Sequence, residues 1–266
     1  MPRIALGLSY SGTGYLGWQS QKGGNTLQDK LEDALREFSG LPRNERVITN
    51  CTGRTDSGVH ALMQVVHFDT PLERENFSWM RGVNRFLPDD IAVQWAQEMP
   101  QEFHCRAQAR TRRYAYIVLQ SPMRTSLEHH RAGWSHLPLT LQNMQQAAQL
   151  LLGEHDFSSF RAAQCQALSP VKNLLRAQVS QRGAYYRFDF EASAFLHHMI
   201  RNIMGCLITI GQGNKPVEWM SEVLSAKSRA VAAPTFSPDG LYFLGPTYDT
   251  KWGLPERTAA FDWLPI

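Results

Sequence analysis

Ile4, Leu6, Leu8 and Tyr10 alternate with smaller or polar residues, the two-residue period of a half-buried strand, so the chain is predicted to open on a β-strand. A glycine-rich loop, SGTGYLGWQSQKGGN, follows it. Thr26-Leu-Gln-Asp29 then reads as a helix start, with Leu27, Leu31, Ala34, Leu35 and Phe38 on one face of an amphipathic helix. Met63 to Phe68 reads as a second strand, and Trp79 to Leu87 as a short helix stopped at Pro88.

The second half repeats this order. A strand is predicted at Tyr114 to Leu119 and a helix from about Thr140 to Leu152, with Gly153 as its cap. Leu175, Ala177 and Val179 alternate, as do Tyr186, Phe188 and Phe190, and Gln181-Arg182-Gly183 reads as the hairpin turn joining them. Phe195 to Ile210 is apolar around most of its circumference, with Arg201 and Asn202 as exceptions, which predicts a buried helix carrying a few paired or functional polar groups. Gly240-Leu-Tyr-Phe-Leu closes the pattern with one more strand.

Strands and helices mix without the regular alternation that forces a parallel sheet, which favours an α+β fold of two related halves. The expected lobes are residues 1–104 and 105–266, sharing a mainly antiparallel sheet, and the cleft between such lobes is the natural place for a site. No short repeat, low-complexity tract or long linker interrupts them.

Composition narrows the class. A chain of 266 residues with 43% hydrophobic residues buries a sizeable core. The start of the chain has no apolar run near the length of a signal core and no later stretch reaches the length of a membrane span, so a cytoplasmic protein is expected. Cys51, Cys105, Cys165 and Cys206 lie far apart in the chain, matching neither a zinc module nor a disulfide framework, and are expected as reduced thiols. Lys+Arg 27 against Asp+Glu 24 gives a formal charge of +3, compatible with a nucleic-acid partner without requiring one. Distribution says more than the sum. Arg106 to Arg113 reads RAQARTRR, four arginines in eight positions directly ahead of the aromatic strand YAYIV, a solvated face or an RNA-binding one.

The densest chemistry is Gly53-Arg-Thr-Asp56-Ser-Gly-Val-His60-Ala, which brings an arginine, a carboxylate and a histidine into seven positions. By itself it is ambiguous, because Thr-Asp-Ser-Gly is also an ordinary turn in which aspartate caps its own backbone. His60, His104, His197 and His198 show no metal-binding spacing, and no catalytic metal is expected.

This segment resembles the GRTDAGVHA signature of the tRNA pseudouridine synthase A family (TruA), with Ser57 in place of the usual alanine. Further matching blocks run in order through Gly12-Thr13, Gly17-Trp18-Gln19, Asn84 with Leu87-Pro88, Phe103-His104, Arg112-Arg113-Tyr114, Asp156 to Phe160, Phe195 to Asn202 and Gly240-Leu241-Tyr242. They cover nearly the whole chain. Ser11 departs from the family's Tyr-Asp-Gly, and Ala107-Gln108 from a commoner Phe-Ser; neither falls in the catalytic set.

The resemblance implies lobes like RNA-recognition folds, a homodimer, and a basic cleft that takes the tRNA anticodon stem-loop, with uridines at positions 38, 39 and 40 as targets. It implies that Asp56 is the catalytic carboxylate and Arg201 its salt-bridge partner. Tyr114 would contact the target base, Arg54 would fill the space left when the base leaves the stack, and Leu241 would lie under the uracil. No cofactor is expected, because the isomerisation changes neither redox state nor composition. On residue types alone, Tyr114 and Leu241 are equally ordinary strand-core positions and Arg201 a snorkelling arginine. Three other readings compete: RNA binding without catalysis, a nucleoside or sugar hydrolase, which would need a second acid near Asp56, and a metal-dependent nuclease, which would need clustered acids.

Overall fold

The computed structural model describes residues 1–255. In chain order its elements are β1 (Arg3–Tyr10), α1 (Leu27–Ser39), β2 (Asn50–Cys51), β3 (His60–Asp69), α2 (Asn76–Asn84), β4 (Ile91–Met99), β5 (Thr111–Gln120) and β6 (Gly133–Ser135). Then come α3 (Leu141–Gln149), β7 (Gly153–Asp156), β8 (Val171–Arg182), β9 (Tyr185–Ala192), α4 (Met199–Gly211), α5 (Trp219–Ala226) and β10 (Leu241–Thr247). The fold is mixed α+β and its strand pairing mostly antiparallel. Internal packing divides the chain into two compact units. Among the described residues, one is Met1–Arg110 together with residues 242–255, and the other is Thr111–Leu241.

In the first unit β1 lies between β4 and β3, antiparallel to both, and β10 adds to β3 in parallel. Every residue from Ile4 to Leu8 is buried, so one strand seeds the core. The helix α1 begins where its sequence says: the Thr26 hydroxyl accepts the backbone N–H of Asp29, and Gly40 closes the helix at φ +67. Its Phe38 ring meets Trp79 edge-on at 5.2 Å, a contact that needs Gly82, since a Cβ there would lie 1.9 Å from Phe38. A second cluster joins Ala5, Met63, Val65, Met99, Phe103 and Trp252, so Trp252 does pack on the core. The tail's other large aromatics, Phe261 and Trp263, whose residue types would suit the same core, lie outside the described residues.

In the second unit the order is β5-β9-β8-β7, all antiparallel, with β6 parallel to β5. Tyr186, Phe188, Phe190 and Ala192 point to the buried face of β9, as their alternation predicts. The all-round apolar helix α4 is buried along almost its whole length.

Several predicted boundaries move, each for a local reason. The helix expected from Phe195 starts at Met199, because His198 holds a left-handed conformation at φ +60 and breaks the helical run. The α2 helix is shifted towards the N-terminus and ends at Asn84, whose side chain exchanges two hydrogen bonds with the backbone of Val93. Gly153 is no helix cap but the first residue of β7, at φ +99, and Gln181 and Arg182 belong to β8, leaving Gly183 and Ala184 as the turn. The strands β2, β4, β6 and β7 and the helix α5 were not anticipated. For β4 part of the signal was present: Ile91 and Val93 alternate onto the face of Tyr10 and Leu8, but an irregularity after Val93 turns Trp95 and Met99 to the opposite face.

Candidate active site

Asp56 sits in the loop between β2 and β3, and the glycine-rich loop after β1 is what holds it. Trp18 donates its backbone N–H to the carbonyl of Thr55 at 3.0 Å, and the Ser57 hydroxyl donates to the carbonyl of Tyr15 at 2.8 Å. Gly12 donates its N–H to Nδ1 of His60 at 3.2 Å, and Tyr10 and Thr55 share a buried hydroxyl–hydroxyl bond of 2.8 Å. Burial pushes the Tyr10 phenol well above its ordinary range, so it is neutral and serves as a structural partner. The aspartate is therefore flanked on both sides by tied-down backbone, and its own carbonyl accepts the N–H of Val59 at 3.1 Å, closing the turn across Gly58 at φ +80.

Two of the glycines are dictated by this contact. A Cβ at Gly12 would lie 2.1 Å from the carbonyl oxygen of Val59, and one at Gly17 would lie 2.8 Å from that of Thr55, where Gly17 also needs φ +88. Gly53 is clasped by Gln64, whose amide donates to the Gly53 carbonyl at 2.5 Å. Asp56 is half-buried and Arg54, two residues before it, is exposed on the same loop.

His60 is buried, its ring stacked on Tyr242 at 4.8 Å, so the signature histidine is a packing residue. His67, His104 and Cys105 also crowd together, with one possible ligand atom of each within 4.8 Å of the others. Yet Nδ1 of His67 accepts the N–H of Cys105 at 3.4 Å and Nδ1 of His104 accepts those of Arg106 and Ala107 at 3.2 and 3.4 Å, while the Cys105 thiol donates to Asn50. Those bonds place the ring protons on Nε2 and describe a packed cluster. Burial raises the Cys105 thiol to about 12 and Cys51 to about 11, keeping both protonated.

Tyr114, Arg201 and Leu241 belong to the second unit. Tyr114 is buried on β5, and the ring of Phe195 meets it edge-on at 5.2 Å. Arg201 lies in the first turn of α4, half-buried, its Nε donating to the carbonyl of Phe236 at 3.0 Å. Leu241 is buried at the start of β10, after Gly240 at φ +85, where a Cβ would lie 2.3 Å from the carbonyl of Ile117. The arginine run splits in role: Arg106 is exposed, Arg110 is exposed and pairs with Asp249 at 2.5 Å, and Arg112 donates to the carbonyl of Ser193 at 2.8 Å. Sequence reading gave no part to Gln64, Phe195 or Phe236, which contact Gly53 and the candidate residues Tyr114 and Arg201 in turn. Phe195 was already inside a matching block, and the other two leave no spacing signal.

The loop thus presents the Asp56 carboxylate from a hydrogen-bonded backbone of a mixed α+β fold, with the exposed Arg54 two residues before it. A family model described as tRNA pseudouridine synthase matches residues 8–106 and 147–249. A protein of Polaromonas naphthalenivorans named tRNA pseudouridine synthase A is 66% identical over 267 residues, covering 99% of this chain and all of that one. Proteins of the same name from Albidiferax ferrireducens and Paracidovorax citrulli are 64% and 60% identical over 99% of this chain and all of theirs. The chain belongs to the tRNA pseudouridine synthase family.

Proposed function

We propose that the protein converts uridine to pseudouridine at positions 38, 39 and 40 in the anticodon stem-loop of tRNA, with Asp56 as the catalytic carboxylate. The observation that carries this reading is the clamp on Asp56. Its neighbours Thr55 and Ser57 are each tied to the loop of Tyr15 and Trp18, so the carboxylate is presented by a fixed backbone.

The reaction breaks the bond from N1 to C1′, turns the uracil and joins C1′ to C5; C5 loses a proton and N1 gains one. Every other atom of the nucleotide is kept and no electron is transferred, so no cofactor enters the balance. An ionised carboxylate serves both available routes, attack at C1′ or removal of a proton from the sugar to give an unsaturated intermediate. Arg201 is the counter-charge that keeps Asp56 ionised in a dry site. Tyr114 supports the uracil with its ring and assists proton transfer at C5 with its hydroxyl. Leu241 lies beneath the base, and Arg54 fills the stack it leaves. The arginines from Arg106 on meet the phosphates of the stem, where affinity comes from charge and shape more than base reading.

The protein acts in the cytoplasm as a homodimer. No helix among the described residues is long and apolar enough to cross a membrane. The test is pseudouridine formation on an unmodified tRNA transcript without added metal or cofactor, comparing wild type with Asp56→Asn. Product from the wild type alone supports the reading. Equal activity removes Asp56 from the mechanism, and RNA binding without product from either protein favours a binding role.

A further inference from the structure

Arg201 and Asn202 are consecutive in the first turn of α4, and both are bonded to the chain between Ala233 and Ser237. Asn202 is fully buried and its amide is used at both ends. Its Nδ2 donates to the carbonyl of Phe160 at 2.8 Å, and its Oδ1 accepts the hydroxyl of Thr235 at 2.6 Å. The Thr235 oxygen in turn accepts Nη2 of Arg229 at 3.1 Å. One residue further on, Phe236 grips Arg201 twice: its N–H donates to the Arg201 carbonyl at 3.1 Å, and its carbonyl accepts Arg201 Nε at 3.0 Å.

The same segment is anchored beyond these bonds. A Cβ at Gly205 would lie 2.2 Å from the carbonyl oxygen of Pro234, so the helix admits the segment only because that position is glycine. At its far end the Phe236 ring packs at 5.7 Å against Tyr116, whose hydroxyl donates to the carbonyl of Ser237 at 2.6 Å. Tyr116 follows Tyr114 by two on β5 and shares its face. A single strap thus binds the helix that bears Arg201 to the strand that bears Tyr114.

We propose that Asn202 and Thr235 are positioning residues for the isomerisation, fixing the Phe236 carbonyl that aims the guanidinium of Arg201. The proposal rests on the reading of Arg201 as the counter-charge of Asp56. A planar guanidinium held at Nε has its remaining N–H groups directed by that one bond, so the location of the acceptor sets the direction of the charge. The Thr235 hydroxyl locks that acceptor to the buried helix, while Thr235 itself is exposed. Replacing it with valine removes the lock and keeps the side chain's shape, taking one donor from the buried Asn202 Oδ1, a loss that the melting temperature reports.

The experiment measures kcat and KM for tRNA, with melting temperature, for Thr235→Val, Thr235→Ser, Tyr116→Phe, Arg201→Ala and the double variant Arg201→Ala with Thr235→Val. Small displacements of catalytic groups cost one to two orders of magnitude in rate, so kcat of Thr235→Val is expected to fall about tenfold, with KM unchanged and serine restoring the rate. Tyr116→Phe, which loosens the strap at its other end, is expected to lower kcat in the same sense. The double variant is expected to be no slower than Arg201→Ala, since the strap acts through the arginine. Wild-type kcat in both Thr235→Val and Tyr116→Phe, or losses that add to that of Arg201→Ala, would overturn the proposal alone. Wild-type turnover of Arg201→Ala would overturn the counter-charge reading itself, and the proposal with it.

Discussion

The backbone N–H of Trp18 donates to the carbonyl oxygen of Thr55 at 3.0 Å, and Asp56 is the next residue. That bond makes the glycine-rich loop part of the carboxylate's support rather than a passive connection. Gly17, at φ +88, brings the two strands of backbone close enough to form it.

Gly17→Ala is therefore expected to damage both stability and turnover. A left-handed alanine costs about 1–2 kcal/mol, and its Cβ would press on the Thr55 carbonyl. Urea unfolding should report a loss of roughly 1–3 kcal/mol, and kcat should fall more than the stability loss explains. Unchanged kcat in the folded variant would show that the loop does not position Asp56.

Ser57→Ala tests the departure from the family signature. The serine hydroxyl adds a 2.8 Å bond to the Tyr15 carbonyl that an alanine cannot make. Stability is expected to drop by about 1 kcal/mol, the net worth of one such bond, with turnover retained. A large loss of turnover would mean that the hydroxyl has a chemical role.

Arg201→Ala is expected to lose turnover with tRNA binding largely kept, because the counter-charge acts on the chemistry more than on docking. Tyr114→Phe changes only a hydroxyl and is expected to bind tRNA normally and fail to react. Filter binding beside pseudouridine assays separates the two effects. Full activity of Tyr114→Phe would leave the ring as a stacking platform.

Burial lowers the His67 imidazole to about 4, helped by neighbouring His104 and Arg3. The unfolded chain, with its ordinary histidine near pH 6.5, takes the proton first, so stability is full at neutral pH and falls as pH drops from about 6.5 to 4. The size is roughly 3 kcal/mol, from a displacement of more than two pH units. Asp69 and Asp29, held below the usual carboxylate range chiefly through Arg3 and through a balance of burial with the Ser20 and Thr26 hydroxyls, act at lower pH. Unfolding free energy measured from pH 7 to 4 should slope for the wild type and flatten for His67→Gln; equal slopes would remove His67 as the cause.

The elements that the sequence placed well are those whose signals are local. Thr26 and Gly40 bracket α1 because caps act within one turn, and Ile4 to Tyr10 declares a strand because alternation needs no partner to be visible. The short strand Gly153–Asp156 has no apolar pattern of its own and exists through pairing with Val171–Leu174. The late start of α4 depends on the left-handed turn at His198, which nothing in its residue type announces.

The chemistry divides in the same way. Sequence alone determined which residues belong to the family's set, Asp56 among them, because a signature survives as residue identity in order. Only the tertiary structure decided why Gly12, Gly17 and Trp18 accompany it, and that Thr235 and Phe236 meet Asn202 and Arg201 across 33 and 35 residues of chain. Hydrogen bonds between groups so far apart follow from how loops and helices pack, and no periodicity or composition of the intervening residues encodes them.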